Sequence, residues 1–319
     1  MTTIDGTGNL HVVQSVGGEG PDTILDGFTI TGGNARGGIS DNRGGGMYNF
    51  GSSPTVINCM FIGNTAVAFG GGMYNSHGSP SVTNCTFLEN TAHAGGGLAN
   101  DVGSAMINNC TFSGNTAQSA GGAILNATGS PTISNCTFIA NSANDYGGGI
   151  YNVDSNPAQT DCLFSENNSL FGGAMYNYQS SSAVTNCTFA ANFAIVGGAI
   201  YNFSSSPTIS NCMFITNSAK AVGGGMYNDD PSSPPISEST FCGNDPDHIN
   251  GEWADEGGNE FLDECPCPWD LDNSGSVTTF DLLELFAQWG TAGPADFDGS
   301  GAVGKNDLLI LFANWGPCP

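Results

Sequence analysis

Positive charge is almost missing from this chain: four Lys and Arg stand against 29 Asp and Glu in 319 residues, a formal net charge of −25. A surface so poor in cations is ill suited to neutralising phosphates, which disfavours nucleic acid and anionic membrane surfaces as partners. It suits a protein that meets divalent cations or neutral glycans. Long apolar runs are missing as well, and nothing approaches the roughly 18–20 residues needed to span a bilayer. Met1 opens directly onto Thr2-Thr3-Ile4-Asp5-Gly6. No basic segment precedes an apolar one there, so a signal peptide is lacking, and the expectation is a truncated piece of a longer secreted protein.

What the chain has in abundance is glycine, 48 residues, arranged in a repeat. A glycine box closed by an apolar residue occurs at Gly44–Met47, Gly70–Met73, Gly95–Leu98, Gly121–Ile124, Gly147–Ile150, Gly172–Met175, Gly197–Ile200 and Gly223–Met226. Between the boxes runs a Phe-x-x-Asn motif: Phe61/Asn64, Phe87/Asn90, Phe112/Asn115, Phe138/Asn141, Phe164/Asn167, Phe189/Asn192, Phe214/Asn217 and Phe241/Asn244. The apolar residues that close the boxes lie 25 or 26 residues apart. A unit of that length, cut by Gly, Asn, Ser and Pro, is too broken for helical repeats and fits three short strands per solenoid coil. One coil cannot bury its own face, so coils must stack at strand spacing around a continuous core.

The expected fold is therefore mainly β: a right-handed, single-stranded parallel β-helix over residues 1–244, about ten coils including weaker ones at Thr3–Val13 and Ile24–Ile30. The Asn after each box, at 49, 75, 100, 126, 152, 177, 202 and 228, and the Asn of each Phe motif read as structural turns. They would tolerate left-handed backbone and bond to their copies above and below. The paired glycine-box and Phe-x-x-Asn motifs over residues 24–244 resemble the repeats of the polymorphic outer-membrane protein family of bacterial surface proteins. That resemblance implies a right-handed β-helix and adhesion. Autotransporters of that kind also carry a C-terminal transmembrane barrel, which residues after 244 do not resemble, so display by another route is expected.

Seven cysteines, Cys59, Cys85, Cys110, Cys136, Cys162, Cys187 and Cys212, lie two residues before the repeat Phe, and Ser239 takes the next rung. In-register side chains keep Cβ atoms near ~4.8 Å, wider than the about 3.8 Å of a disulfide, so the ladder reads as buried free thiols. Cys267 and Cys318 bracket the C-terminal segment. A clamp between its ends is expected there, with Cys265 as the alternative partner to Cys318.

Eight of the acidic residues fall between Asp245 and Glu264, which reads as an acidic linker over 245–264. Beyond it, in residues 265–319, two stretches fit twelve-residue calcium loops, Asp270–Asp281 and Asp296–Asp307, with oxygen ligands at positions 1, 3, 5, 7 and 12 and Gly at position 6. Each runs into one helix that ends in Trp-Gly. The Asp at position 12 and the missing incoming helix make residues 267–319 resemble dockerins, which dock bacterial extracellular proteins onto cohesin-type receptors. The resemblance carries over Asp270, Asp272, Ser274 and Asp281, with Asp296, Asp298, Ser300 and Asp307, as ligands of two Ca2+ ions. It adds the carbonyls of Ser276 and Ala302, and places receptor contact at Thr279-Phe280 and Lys305-Asn306.

Catalysis is disfavoured. The solenoid offers only Arg36, Arg43 and Lys220 as cations, too scattered for the basic cleft of a polyuronate lyase. Its carboxylates Asp161, Glu166 and Asp229-Asp230 form no recognisable hydrolase pair, and His11, His77, His93 and His248 are dispersed. Tyr48, Tyr74, Tyr151, Tyr176, Tyr201 and Tyr227, interrupted by Ala99 and Leu125, form an aromatic column. Two readings stay open for it: a stripe that stacks sugar rings or a partner protein, or stacked rings that stabilise a strand face. The function expected is a non-catalytic extracellular or cell-surface scaffold or adhesin anchored through its dockerin-like tail, with a cohesin-like receptor and a polysaccharide or cell-surface glycan as partners. A lyase or glycoside hydrolase and a purely structural, self-stacking solenoid are the alternatives.

Overall fold

The computed structural model describes residues 1–319 apart from Met1, Asn9, Ile39, Ser40, Pro266, Pro268, Asn273, Asp298, Gly299, Asn314, Trp315, Cys318 and Pro319. The chain divides into two compact units, Met1–Phe261 and Leu262–Pro319.

The first unit is a parallel β-solenoid of three long sheets with eleven, ten and ten strands. Each coil leaves its glycine box along one strand (Ile150–Ser155, for example), turns into a second (Ala158–Thr160) and a third (Leu163–Ser165), and returns to the next box. We call the three faces the box sheet, the middle sheet and the phenylalanine sheet. Among the described residues, nine three-strand coils lie between Val13 and Cys242 rather than about ten in residues 1–244. A further coil follows where an acidic linker was expected. Ile249–Asn250 pairs with the box sheet and Ala254–Asp255 with the middle sheet, while Glu260–Leu262 extends the phenylalanine sheet. Charge density misled there. Asp255 and Glu260 lie within these strands and the other acidic residues outside them, while Ile249, Trp253 and Phe261 still supply apolar packing to the stack.

Pairing is in register, so like falls on like. Phe61, Phe87, Phe112, Phe138, Phe164, Phe189, Phe214 and Phe241 are fully buried. Successive rings stack at 4.3–5.1 Å between centroids, and Phe261 continues the column. The seven ladder thiols are free and buried. Each donates to the carbonyl two residues earlier, as Cys85 Sγ does to Thr83 O at 3.2 Å, and Ser239 Oγ makes the same bond to Ser237 O at 2.8 Å.

Two asparagine ladders satisfy each other. Asn90 Nδ2 donates to Phe61 O at 2.9 Å and Asn115 Oδ1 at 3.0 Å. In the box sheet, Asn126 Nδ2 donates to Asn152 Oδ1 at 2.9 Å. Neither ladder supplies the left-handed residues, contrary to the sequence reading. Positive φ sits one residue before each Phe-motif Asn, as at Glu89, Ala140 and Glu166, and one before each ladder cysteine, as at Asn58, Asn84 and Asn135. The ladder asparagines are used for their amides, and a different asparagine turns the corner.

The glycine box is where neighbouring coils come closest. A Cβ on Gly148 would collide with the carbonyl oxygens of Asn168 and Gly173. At the third box position a Cβ would meet one carbonyl oxygen rather than two, as Gly149 would meet that of Ala174, and three coils place Ala123, Ala174 and Ala199 there, all fully buried.

One rung breaks the rule. Gln159 occupies the middle-sheet core position between Ile133 and Val184, fully buried, and neither end of its amide has a partner.

The second unit is small. Helix α1 (Thr279–Ala287) and helix α2 (Lys305–Ala313) enclose Val277, Leu285, Ala295, Val303 and Leu311. Ser276–Val277 pairs antiparallel with Gly316–Pro317.

Two stability measurements check this account. Gly148→Ala should cost about 1–3 kcal/mol through collision with two carbonyl oxygens, while Gly149→Ala, which meets one and copies its neighbouring coils, should cost less in chemical denaturation; equal effects would contradict the packing described. Gln159→Ile should stabilise the solenoid by about 1–3 kcal/mol, the order of penalty carried by buried polar groups without partners, and a loss of stability would mean the amide has a use.

Candidate functional site

The tyrosine column lies on the outer side of the box sheet, but it is not a free stripe. The residue just before each glycine box folds back over it, giving a second column of Arg43, Phe69, Ala94, Ala120, Tyr146, Phe171 and Val196 joined by parallel bridges and strand pairing. Tyr48, Tyr74 and Tyr176 are consequently buried, while Tyr151, Tyr201 and Tyr227 are half-buried. Tyr48 stacks on Tyr74 and Tyr176 on Tyr201 with centroids 5.7 and 4.9 Å apart.

Both columns lose their rings at the same two coils. Ala99 and Leu125 interrupt the first, in register between Tyr74 and Tyr151. Ala94 and Ala120 interrupt the second, between Phe69 and Tyr146. A trough of about 370 Å³ opens there. Phe69 and Tyr74 stand at one end, Tyr151 and Val153 at the other, with Leu125 and alanines between. That size and apolar lining are those of small-molecule sites.

Its polar groups are few and directed. Arg43 lies 5.2 Å from the centroids of Phe69 and Tyr74, and its Nη1 donates to Tyr74 Oη at 3.0 Å. Tyr74 Oη in turn donates to Asp101 Oδ2 at 2.7 Å. Asp101 lines the trough with exposed His93 and half-buried Ser119, whose hydroxyl lies 3.2 Å from Asp145 Oδ2. Sequence reasoning noted the interruption at Ala99 and Leu125 but missed the second column. The residue preceding each glycine box was the available signal. His11, by contrast, stacks on Tyr48. The exposed Asp161 and Glu166 occupy left-handed corners.

The other candidate is the first acidic loop. Carboxylate oxygens of Asp270, Asp272 and Asp281 lie within 4.8 Å of one another, the only such grouping of three His, Cys, Asp or Glu side chains among the described residues. Asp270 and Asp281 are buried. Burial raises the Asp270 carboxyl, but the amides of Gly275 at 2.7 Å and Ser274 at 2.9 Å outweigh it and hold the group below its ordinary value. Asp281 accepts from Leu271 N at 2.7 Å and Thr278 N at 2.7 Å, closing a capping box with Thr278 that starts α1. Ser274 Oγ lies 3.1 Å from the Ser276 carbonyl, so the expected oxygens converge. The second loop repeats the pattern. Asp296 accepts from Ser300 N at 3.0 Å and Gly301 N at 2.8 Å, Ser300 Oγ reaches Ala302 O at 3.2 Å, and Asp307 accepts from Gly304 N at 2.7 Å. Asp298 lies outside the described residues. An all-oxygen set of this kind fits a hard divalent cation.

Cys242, Cys265 and Cys267 are disulfide-bonded, and Cys318 lies outside the described residues. On the two helices, Phe280, Leu283 and Phe286, and Leu309 and Phe312, are 48–66 % exposed. Thr279, Lys305 and Asn306 are also exposed. No described helix is long and apolar enough to cross a membrane.

The three-sheeted stack defines a parallel β-solenoid. The family model described as "Right handed beta helix region" matches residues 23–138 and 96–262, and the chain belongs to that family of right-handed β-helices. Comparison with curated proteins and with solved structures gave no match.

The covered tyrosines have a measurable signature. Burial, with the neighbouring Asp101 and tyrosine charges opposing ionisation, raises Tyr74, Tyr151 and Tyr201 from 10.0 to about 12. A phenol whose folded value is raised costs nothing below its unfolded value; stability is lost as pH climbs from about 10 to about 12. Ultraviolet titration should show a tyrosinate population that appears late and together with loss of the solenoid's circular dichroism. Uniform ionisation of every tyrosine near pH 10 in the folded protein would contradict their burial.

Proposed function

We propose that this protein is a non-catalytic extracellular or cell-surface scaffold, a rigid β-helix held in place by a calcium-dependent, dockerin-like C-terminal unit. The observation that carries the reading is the convergence of Asp270, Asp272 and Asp281, two of them buried, in a unit whose only basic side chain is Lys305. Buried carboxylates are costly unless a cation or strong hydrogen bonds compensate them. Asp270, Asp272, Ser274, Asp281 and the Ser276 carbonyl would hold one Ca2+ ion. Asp296, Asp298, Ser300, Asp307 and the Ala302 carbonyl would hold the second. Bound calcium would neutralise each loop and fix the start of the helix that follows.

Docking is supported by the apolar side chains that α1 and α2 leave exposed. Phe280, Leu283 and Phe286 recur at helical spacing, and Leu309 and Phe312 repeat the last two one loop later, 26 residues on. Contiguous exposed apolar groups of this kind mark protein contact surfaces, here for a cohesin-like receptor. Disulfide bonding of Cys242, Cys265 and Cys267 supports an oxidising location.

Calorimetric titration of the metal-stripped chain with CaCl2 should register two ions. Asp272→Ala should weaken one site by about tenfold or more, the scale of losing a charged ligand. Chelation should abolish the helical signal while the solenoid transition persists. Absence of calcium uptake would falsify the anchoring account.

A further inference from the structure

We propose that the trough between Phe69 and Tyr151 is a binding site for a neutral pyranose ring of a glycan, independent of the C-terminal unit. The argument starts from the stack. Aromatic rungs run at coil spacing on both sides of the trough, and two successive coils lack them in both outer columns at once. From the Tyr74 coil to the Tyr151 coil is three steps, roughly 14 Å at strand spacing. The gap therefore has the thickness of stacked flat rings, with half-buried Phe69 and Tyr151 as aromatic walls and alanine methyls where side chains would otherwise fill it.

The polar groups select the kind of ring. Asp101 is held by Tyr74 Oη at Oδ2, which Arg43 braces from behind. Its other oxygen, Oδ1, has no protein donor among the described residues and is available to a ligand hydroxyl. His93 and Ser119 offer further hydrogen bonds at the rim. A plain aromatic ring would leave these groups unused, whereas a pyranose presents apolar C–H faces to the walls and hydroxyls to the carboxylate. Anionic sugars are disfavoured. Among the described residues Arg43 is the only Lys or Arg beside the trough, its Nη1 is taken by Tyr74, and the chain carries −25 overall.

The test uses the full chain in calcium-containing buffer, titrated by calorimetry and ligand-observed NMR with hexaoses of β-1,4-linked glucose, xylose and mannose, and with oligogalacturonate. At least one neutral hexaose should bind saturably and oligogalacturonate should not. Ala120→Tyr restores a missing rung in a column whose next residue is Tyr146, so it should fold normally and abolish binding. Asp101→Ala should weaken binding by about tenfold or more. Failure of every neutral hexaose to bind, binding of the anionic oligomer alone, or binding that survives Ala120→Tyr in a variant with an intact solenoid transition would each overturn the proposal. None of these outcomes bears on calcium uptake, which is measured separately.

Discussion

Parallel in-register pairing makes each residue's nearest neighbours, above and below, its own copies, 25 or 26 positions away through most of the stack. Every side-chain choice in the solenoid must therefore be compatible with itself at about 4.8 Å. Phenylalanine satisfies this by stacking ring on ring, cysteine by donating to the carbonyl two residues back in its own coil while staying reduced, and asparagine by carrying both a donor and an acceptor. Asn115 accepts from Asn90 and donates to Asn141, so a buried amide costs little provided the ladder is continuous. The same constraint fixes the glycine box, where the backbone of one coil fills the space a Cβ would need on the next.

A structure built from copies also gives its exceptions meaning. Gln159 is an apolar rung replaced by an amide that nothing answers, a local cost the long stack absorbs. The loss of rings at Ala94, Ala99, Ala120 and Leu125 differs in kind. Four positions in two columns change together and leave an open trough whose carboxylate is braced from behind. A single fault is tolerated noise, whereas a coordinated one is a shaped surface. The C-terminal unit obeys other physics. Among its described residues the buried apolar core has five members, against nine acidic side chains in its sequence, and it gathers carboxylates where the solenoid gathers rings.

The repeat was legible in the sequence because its period, its glycine boxes and its Phe-x-x-Asn motifs are local and redundant. Strand identity and the buried Phe, Cys and Asn ladders followed from it. Two things did not. The coil at 249–262 lacks both motifs and is held by register with its neighbours, so composition made it look like linker. The cover over the tyrosines depends on the chain folding back before each box, which alternation within one strand does not reveal. The approach of Asp270, Asp272 and Asp281 to one another could be read from their spacing, because a twelve-residue loop is local in the way a trough between coils is not.

Stacking like on like should be ruinous for a chain of net charge −25, since acids on one corner column would sit a single strand spacing apart. The sequence avoids this. In the corner before each Phe-motif Asn, Glu89 and Glu166 are separated by Gly114 and Ala140; in the corner before each ladder cysteine, Asp161 and Glu238 are separated by Asn186 and Asn211. Three steps, roughly 14 Å, exceed the screening length of about 8 Å in physiological salt. The negative charge in these corners is thus spread thinly enough for the coils to stack. A solenoid this poor in cations offers other molecules mainly shape, stacking and hydrogen bonding. Those are the properties concentrated where its aromatic columns are interrupted.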